Sequence, residues 1–132
     1  MSRDKIFKEI EDSLGLVPSM FKTIPDSVLE YEWGIFKKIQ LEEGNIPLKY
    51  RELMGLAASA ATKCSYCTLF HTEMARLHGA NDAEIEETLR YVKNSSGWSS
   101  YINGLQIDHE VFKAEIQKAC AYVRSKSLVK AA

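Results

Sequence analysis

Leu56-Ala57-Ala58-Ser59-Ala60-Ala61-Thr62-Lys63-Cys64-Ser65-Tyr66-Cys67-Thr68-Leu69-Phe70-His71 is the stretch whose pattern settles the fold. After Leu56, its next five residues are small, four alanines and Ser59. Side chains of that size let a second helix approach closely, so they mark the buried centre of a helical protein. Thr62-Lys63 reads as a break, and a new helix starts near Cys64. Residues 64, 67 and 71 are then three and four apart, which puts two sulfurs and an imidazole on one helical face.

Helix signals continue on both sides. Before the centre, Ile6, Ile10 and Leu14 repeat at four-residue spacing over 3–14, and Gly15 can stop that helix. Pro18 fits the first turn of a short helix over 18–23. Pro25-Asp26 opens a longer one with Val28, Leu29, Trp33, Phe36 and Ile39 as its apolar stripe. Glu42-Glu43-Gly44-Asn45 reads as a loop, and Pro47 opens the helix that runs to about residue 61. After the centre, the Cys64 helix runs to His78, with Gly79 as its C-cap. Asn81 or Asp82 caps the next, which carries Ile85, Leu89 and Val92. Asn94-Ser95-Ser96-Gly97 reads as a turn, followed by a short helix near 98–104 and a last one near 108–125. No segment alternates like a strand. The expected fold is all-α, one domain of about seven helices over 1–132.

The bulk numbers narrow the function. With 132 residues, 45% hydrophobic, the chain can bury one core. A formal net charge of −1 supplies no field for nucleic acid or an anionic membrane. No stretch approaches the ~20 apolar residues of a membrane helix, and the charged start does not read as a signal peptide. A cytoplasmic setting is expected, where a close cysteine pair is catalytic or metal-binding more often than a permanent staple.

Cα atoms three residues apart on a helix lie about 5 Å from each other, inside the disulfide range. Cys64 in the first turn would have its thiolate favoured by unpaired N–H groups and the helix dipole. His71, one turn beyond Cys67, can exchange a proton with it. Glu52 sits on the preceding helix, in a stripe Glu52–Leu56–Ser59 that packing on the Cys64 helix would bury. Burial would make it a usable proton acceptor near neutral pH.

Each residue also has a plainer reading. Glu52 can be a solvated charge or an ion pair with nearby Arg51 or Lys49. Cys120 reads as a buried core thiol, and His78 and His109 as surface or capping residues. Trp33, Trp98, Phe36 and Phe70 read as core. Zinc on Cys64, Cys67 and His71 is disfavoured, because seven residues of helix rise about 10 Å while ligands of one ion lie within ~4 Å. Covalent haem attachment is disfavoured because Thr68 follows Cys67. No metal or cofactor is expected.

The ordered set of Glu52, eleven residues, Cys64-x-x-Cys67, three residues and His71, within Ala-rich helices, resembles the alkylhydroperoxidase D-like branch of the carboxymuconolactone decarboxylase superfamily. The specific part covers about 46–92. Gly15-Leu16-Val17-Pro18-Ser19-Met20-Phe21 is similar to the opening of peroxidase-related members. The resemblance implies a dithiol peroxidase that assembles into trimers or hexamers. It implies Cys67 as the peroxidatic thiol, Cys64 as the resolving thiol and proton donor to the leaving group, and Glu52 with His71 as the proton relay. Its substrate would be a hydroperoxide, and its reductant a lipoyl-bearing or thioredoxin-like dithiol protein. Well-known members carry a further histidine just before the second cysteine; Tyr66 stands there here, which implies a shorter relay and a slower peroxidase. Decarboxylase members lack the cysteine pair, so lactone decarboxylation is not expected. A disulfide reductase or redox sensor is the alternative, a structural metal protein or a silent scaffold the others.

Overall fold

The computed structural model describes residues 1–131, with side chains to residue 127. It contains α1 (Arg3–Leu14), α2 (Ser19–Lys22), α3 (Asp26–Phe36) with a π-helical turn (Lys37–Leu41), α4 (Leu48–Ala61), α5 (Ser65–Leu77), α6 (Asp82–Leu105) and α7 (His109–Ala131). No strand occurs among the described residues, as the sequence pattern requires. None of the described helices is long and apolar enough to cross a membrane. The chain forms two compact units, Met1–Leu89 and Arg90–Ala132.

In the first unit, α1 ends where Gly15 takes φ +79° and returns its N–H to the Glu11 carbonyl at 2.8 Å. Ile6 and Ile10 of α1, Phe21 of α2, and Leu29 and Trp33 of α3 form one buried cluster. Fully burying an aliphatic or aromatic side chain of this kind contributes about 1.5–3 kcal/mol. The stripe expected on α3 is shorter than its spacing suggested. Leu29 and Trp33 are buried and Phe36 is partly so, but Val28 and Ile39 are exposed. Ile39 lies on the π-helical turn, which spends an extra residue per turn and so rotates the next side chain away from the core.

Arg51 closes the loop before α4. Its guanidinium donates to the carbonyls of Ile46 at 2.9 Å, Ile39 at 2.7 Å and Glu42 at 2.5 Å. Leu56 of α4, Ala75 of α5, Ala80 and Ile85 form a second buried cluster. The small residues of α4 allow that approach, and α4 packs along α5. Asn81 caps α6: its side-chain oxygen accepts the Glu84 N–H at 2.8 Å while Glu84 accepts the Asn81 N–H at 3.0 Å.

In the second unit, Asn94-Ser95-Ser96-Gly97 is not a turn; α6 passes through it unbroken. Extending a formed helix adds a backbone bond for each residue fixed, so a few weak formers do not stop it. Cys120 is exposed, not a core thiol, and Trp98 is exposed rather than core. Both lie on helical stretches where every described side chain is exposed or only partly covered.

Candidate active site

The connection between α4 and α5 is a helix stop that leads directly into a helix start. Lys63 N–H returns to the Ala60 carbonyl at 3.2 Å and Cys64 N–H to the Ser59 carbonyl at 3.0 Å. This is the Schellman pairing, and its left-handed position is filled by Lys63 at φ 57° rather than by glycine. Cys64 follows at once as the N-cap of α5, and its Sγ accepts the Cys67 N–H at 3.3 Å. It therefore precedes the first turn of α5 instead of lying within it.

Both sulfurs are free thiols, one helical turn apart. The Cys67 thiol donates toward the Cys64 sulfur, and that contact, reinforced by the Cys67 and Tyr66 N–H groups, holds the Cys64 pKa below the ordinary thiol value. Donating toward Cys64 pushes the Cys67 pKa up, with burial adding in the same direction. The two shifts run in opposite directions, so Cys64 is the more acidic thiol of the pair. Cys67 is the more exposed of the two. Cys64 lines an open groove of about 590 Å³ with Lys63, Ser65, Thr68, Leu69 and Arg76.

The stripe Glu52–Leu56–Ser59 is buried as the sequence requires. Neither Lys49 nor Arg51 pairs with Glu52: Lys49 reaches Glu84 at 2.8 Å, and Arg51 is committed to the loop carbonyls. Glu52, with no exposed surface, instead meets His71, whose Nδ1 stands 2.7 Å from Oε2. An ionised carboxylate only accepts, so Nδ1 carries the hydrogen and Nε2 is left as the free basic nitrogen. The other carboxylate oxygen, Oε1, is buried without a hydrogen-bond partner.

The His71 ring is also packed in place. Phe70 meets it edge-on with centroids 5.1 Å apart, and Phe36 at the end of α3 backs Phe70 at 6.1 Å. On α4 the ring lies across the backbone of Gly55. The small-residue pattern of α4 signalled close helix approach, but nothing in it singled out Gly55. His78, rather than Gly79, is the C-cap residue of α5, with Gly79 following at φ +91°; the His78 Nε2 is buried and unpartnered, and His109 is exposed at the start of α7. Among the described residues, no group of three or more His, Cys, Asp or Glu side chains converges closely enough to hold a metal ion.

The model of the carboxymuconolactone decarboxylase family matches residues 23–110, a span that contains α3 to α5 and the whole site. The chain belongs to the carboxymuconolactone decarboxylase family. Within it, this family member has the alkylhydroperoxidase D-like fold. It is similar to the crystal structure of the alkylhydroperoxidase AhpD core from Rhodospirillum rubrum ATCC 11170, with a TM-score of 0.73 and 27% identity. That similarity covers 83% of this chain and 84% of the other. No curated protein matches the sequence.

Proposed function

We propose that the protein is a thiol-dependent peroxidase that reduces hydroperoxides through a dithiol–disulfide cycle of Cys67 and Cys64, with Glu52 and His71 as its proton relay. The observation that carries this reading is the Glu52–His71 hydrogen bond, placed one helical turn beyond Cys67, whose thiol pKa is raised by its contact with Cys64. Such a thiol needs a base. His71, with Nδ1 committed to a buried carboxylate, can offer Nε2 as that base.

Deprotonated Cys67 attacks the O–O bond and becomes a sulfenic acid, and the leaving alkoxide takes its proton from His71 in this scheme rather than from Cys64, the donor that the family resemblance implies. Cys64, already biased toward thiolate, displaces hydroxide from the Cys67 sulfur and closes the disulfide before further oxidation. An external dithiol, lipoyl-bearing or thioredoxin-like, then reopens it by exchange. A reducing compartment such as the cytoplasm suits that step. No cofactor or metal enters this cycle. The similarity to an alkylhydroperoxidase core supports a hydroperoxide as oxidant. The apolar residues exposed on α6 and α7, among them Trp98, Tyr101, Val111 and Ile116, support assembly into a homo-oligomer such as a trimer or hexamer.

Steady-state peroxide consumption by the purified protein with a dithiol reductant tests the reading, beside the Cys64→Ser and Cys67→Ser variants. Turnover by the native protein and its loss in Cys67→Ser are expected. A second reading, a disulfide reductase or redox sensor, is favoured by Tyr66, an 86% exposed side chain where a relay histidine is otherwise expected. Fast disulfide exchange without peroxide consumption would establish that reading instead.

A further inference from the structure

We propose that Gly55 is a positioning residue of the relay: its missing side chain is what lets the His71 imidazole lie across α4 within hydrogen-bonding distance of Glu52. The functional part of this inference rests on the peroxidase reading; the structural part does not.

A β-carbon built on Gly55 would stand 2.7 Å from His71 Cγ and closer still to Nδ1 and Cε1. Real β-carbons do not approach ring atoms so closely, so one of the two groups has to move. A mobile side chain could swing away at little cost. His71 cannot, because Nδ1 is tied to Glu52, one turn before Gly55 on α4, and Phe70 closes on the ring edge-to-face. Displacing the ring from Gly55 therefore displaces it from Glu52.

The other helical glycines show that this is specific. Gly34, Gly97 and Gly104 have nothing within 4 Å of a built β-carbon. Glycine in the middle of a helix is destabilising relative to alanine, so those positions would gain from the exchange. Gly55 would gain likewise, were the imidazole absent. The local backbone is otherwise regular, and the Ser59 hydroxyl donates to the Gly55 carbonyl at 2.6 Å within the same helix.

The test is a double-mutant cycle of Gly55→Ala and His71→Ala, read by thermal denaturation, by NMR of the His71 ring nitrogens and by peroxide turnover. In the native background, Gly55→Ala is expected to lower the melting temperature, to abolish the hydrogen-bonded Nδ1–H signal and to cut turnover by about 10²-fold. Its pH–rate profile should approach that of His71→Ala. In the His71→Ala background, the same change should leave the melting temperature equal or higher. A glycine needed only for helix packing would give the same loss in both backgrounds and an intact Nδ1–H signal, and either result overturns the proposal. If Gly55→Ala alone does not fold, folding of the double variant supports it and failure of both overturns it. If the native protein turns over no peroxide, the peroxidase reading fails while the melting and NMR arms still decide the role of Gly55.

Discussion

His71 Nδ1 lies 2.7 Å from Glu52 Oε2, which joins two helices across nineteen residues of sequence at a carboxylate with no exposed surface. The bond fixes the tautomer of the imidazole and leaves Nε2 to act. Glu52→Gln keeps the volume and an acceptor oxygen but removes the charge that supports a protonated ring. Turnover should fall about 10²-fold or more with the fold retained. Steady-state peroxide consumption beside circular dichroism measures both; unchanged turnover would remove Glu52 from the relay.

The polarised thiol pair has a pH signature. Cys64 should alkylate at a pH below that of an ordinary thiol and Cys67 only above it, because the Cys67 thiol is the leading cause that lowers Cys64. Cys67→Ala removes that donor, so the Cys64 titration should move upward toward the ordinary value. Rates of iodoacetamide alkylation against pH, resolved by peptide mass, give both midpoints. A Cys64 midpoint that ignores Cys67→Ala would contradict the proposed donor.

Lys63 occupies a left-handed conformation that costs a side-chain-bearing residue about 1–2 kcal/mol. Glycine relieves that strain but loses about 0.5–1 kcal/mol more in chain entropy. Lys63→Gly should therefore stabilise the protein, by up to about 1.5 kcal/mol, and Lys63→Val should destabilise it. Urea midpoints compare the two; equal midpoints would mean that the turn relaxes elsewhere.

Lys49 and Glu84 tie α4 to the start of α6. The Lys49 contact holds the Glu84 pKa below the usual carboxylate value, and Glu84 raises that of Lys49. The carboxylate side of the pair stabilises the fold above the unfolded value near 4.3 and is lost as pH falls through the lower folded value. The lysine side is present below about 10.4 and is lost as pH rises through the higher folded value. Lys49→Met should flatten the acid limb of the melting-temperature profile. An acid limb identical to that of the native protein would refute the linkage.

Much of this was readable in the chain because local chemistry and global packing agree there. Gly15, Gly79 and Asn81 each punctuate a helix by their own backbone or side-chain chemistry. The stripe Glu52–Leu56–Ser59 is buried because the small residues beside it admit α5. What stayed hidden depends on partners far away in sequence. Nothing local says that Arg51 turns to the carbonyls of Ile39, Glu42 and Ile46, which leaves Glu52 to His71. Nothing local marks Gly55 as the residue under the imidazole. Residues 94–97 have turn composition, yet the helix on either side carries through them. Trp98 and Cys120 read as interior by residue type, but type alone does not supply a neighbour to cover them.

The peroxidase reading is most directly tested by one single-turnover experiment, in which the reduced protein meets one equivalent of an organic hydroperoxide and its intact mass is followed with time. A dithiol peroxidase loses two hydrogens in an intramolecular Cys64–Cys67 disulfide, and the Cys64→Ser variant instead accumulates one added oxygen on Cys67. A protein that keeps both thiols while the peroxide persists, or that gains oxygen on Cys64 alone, would contradict it.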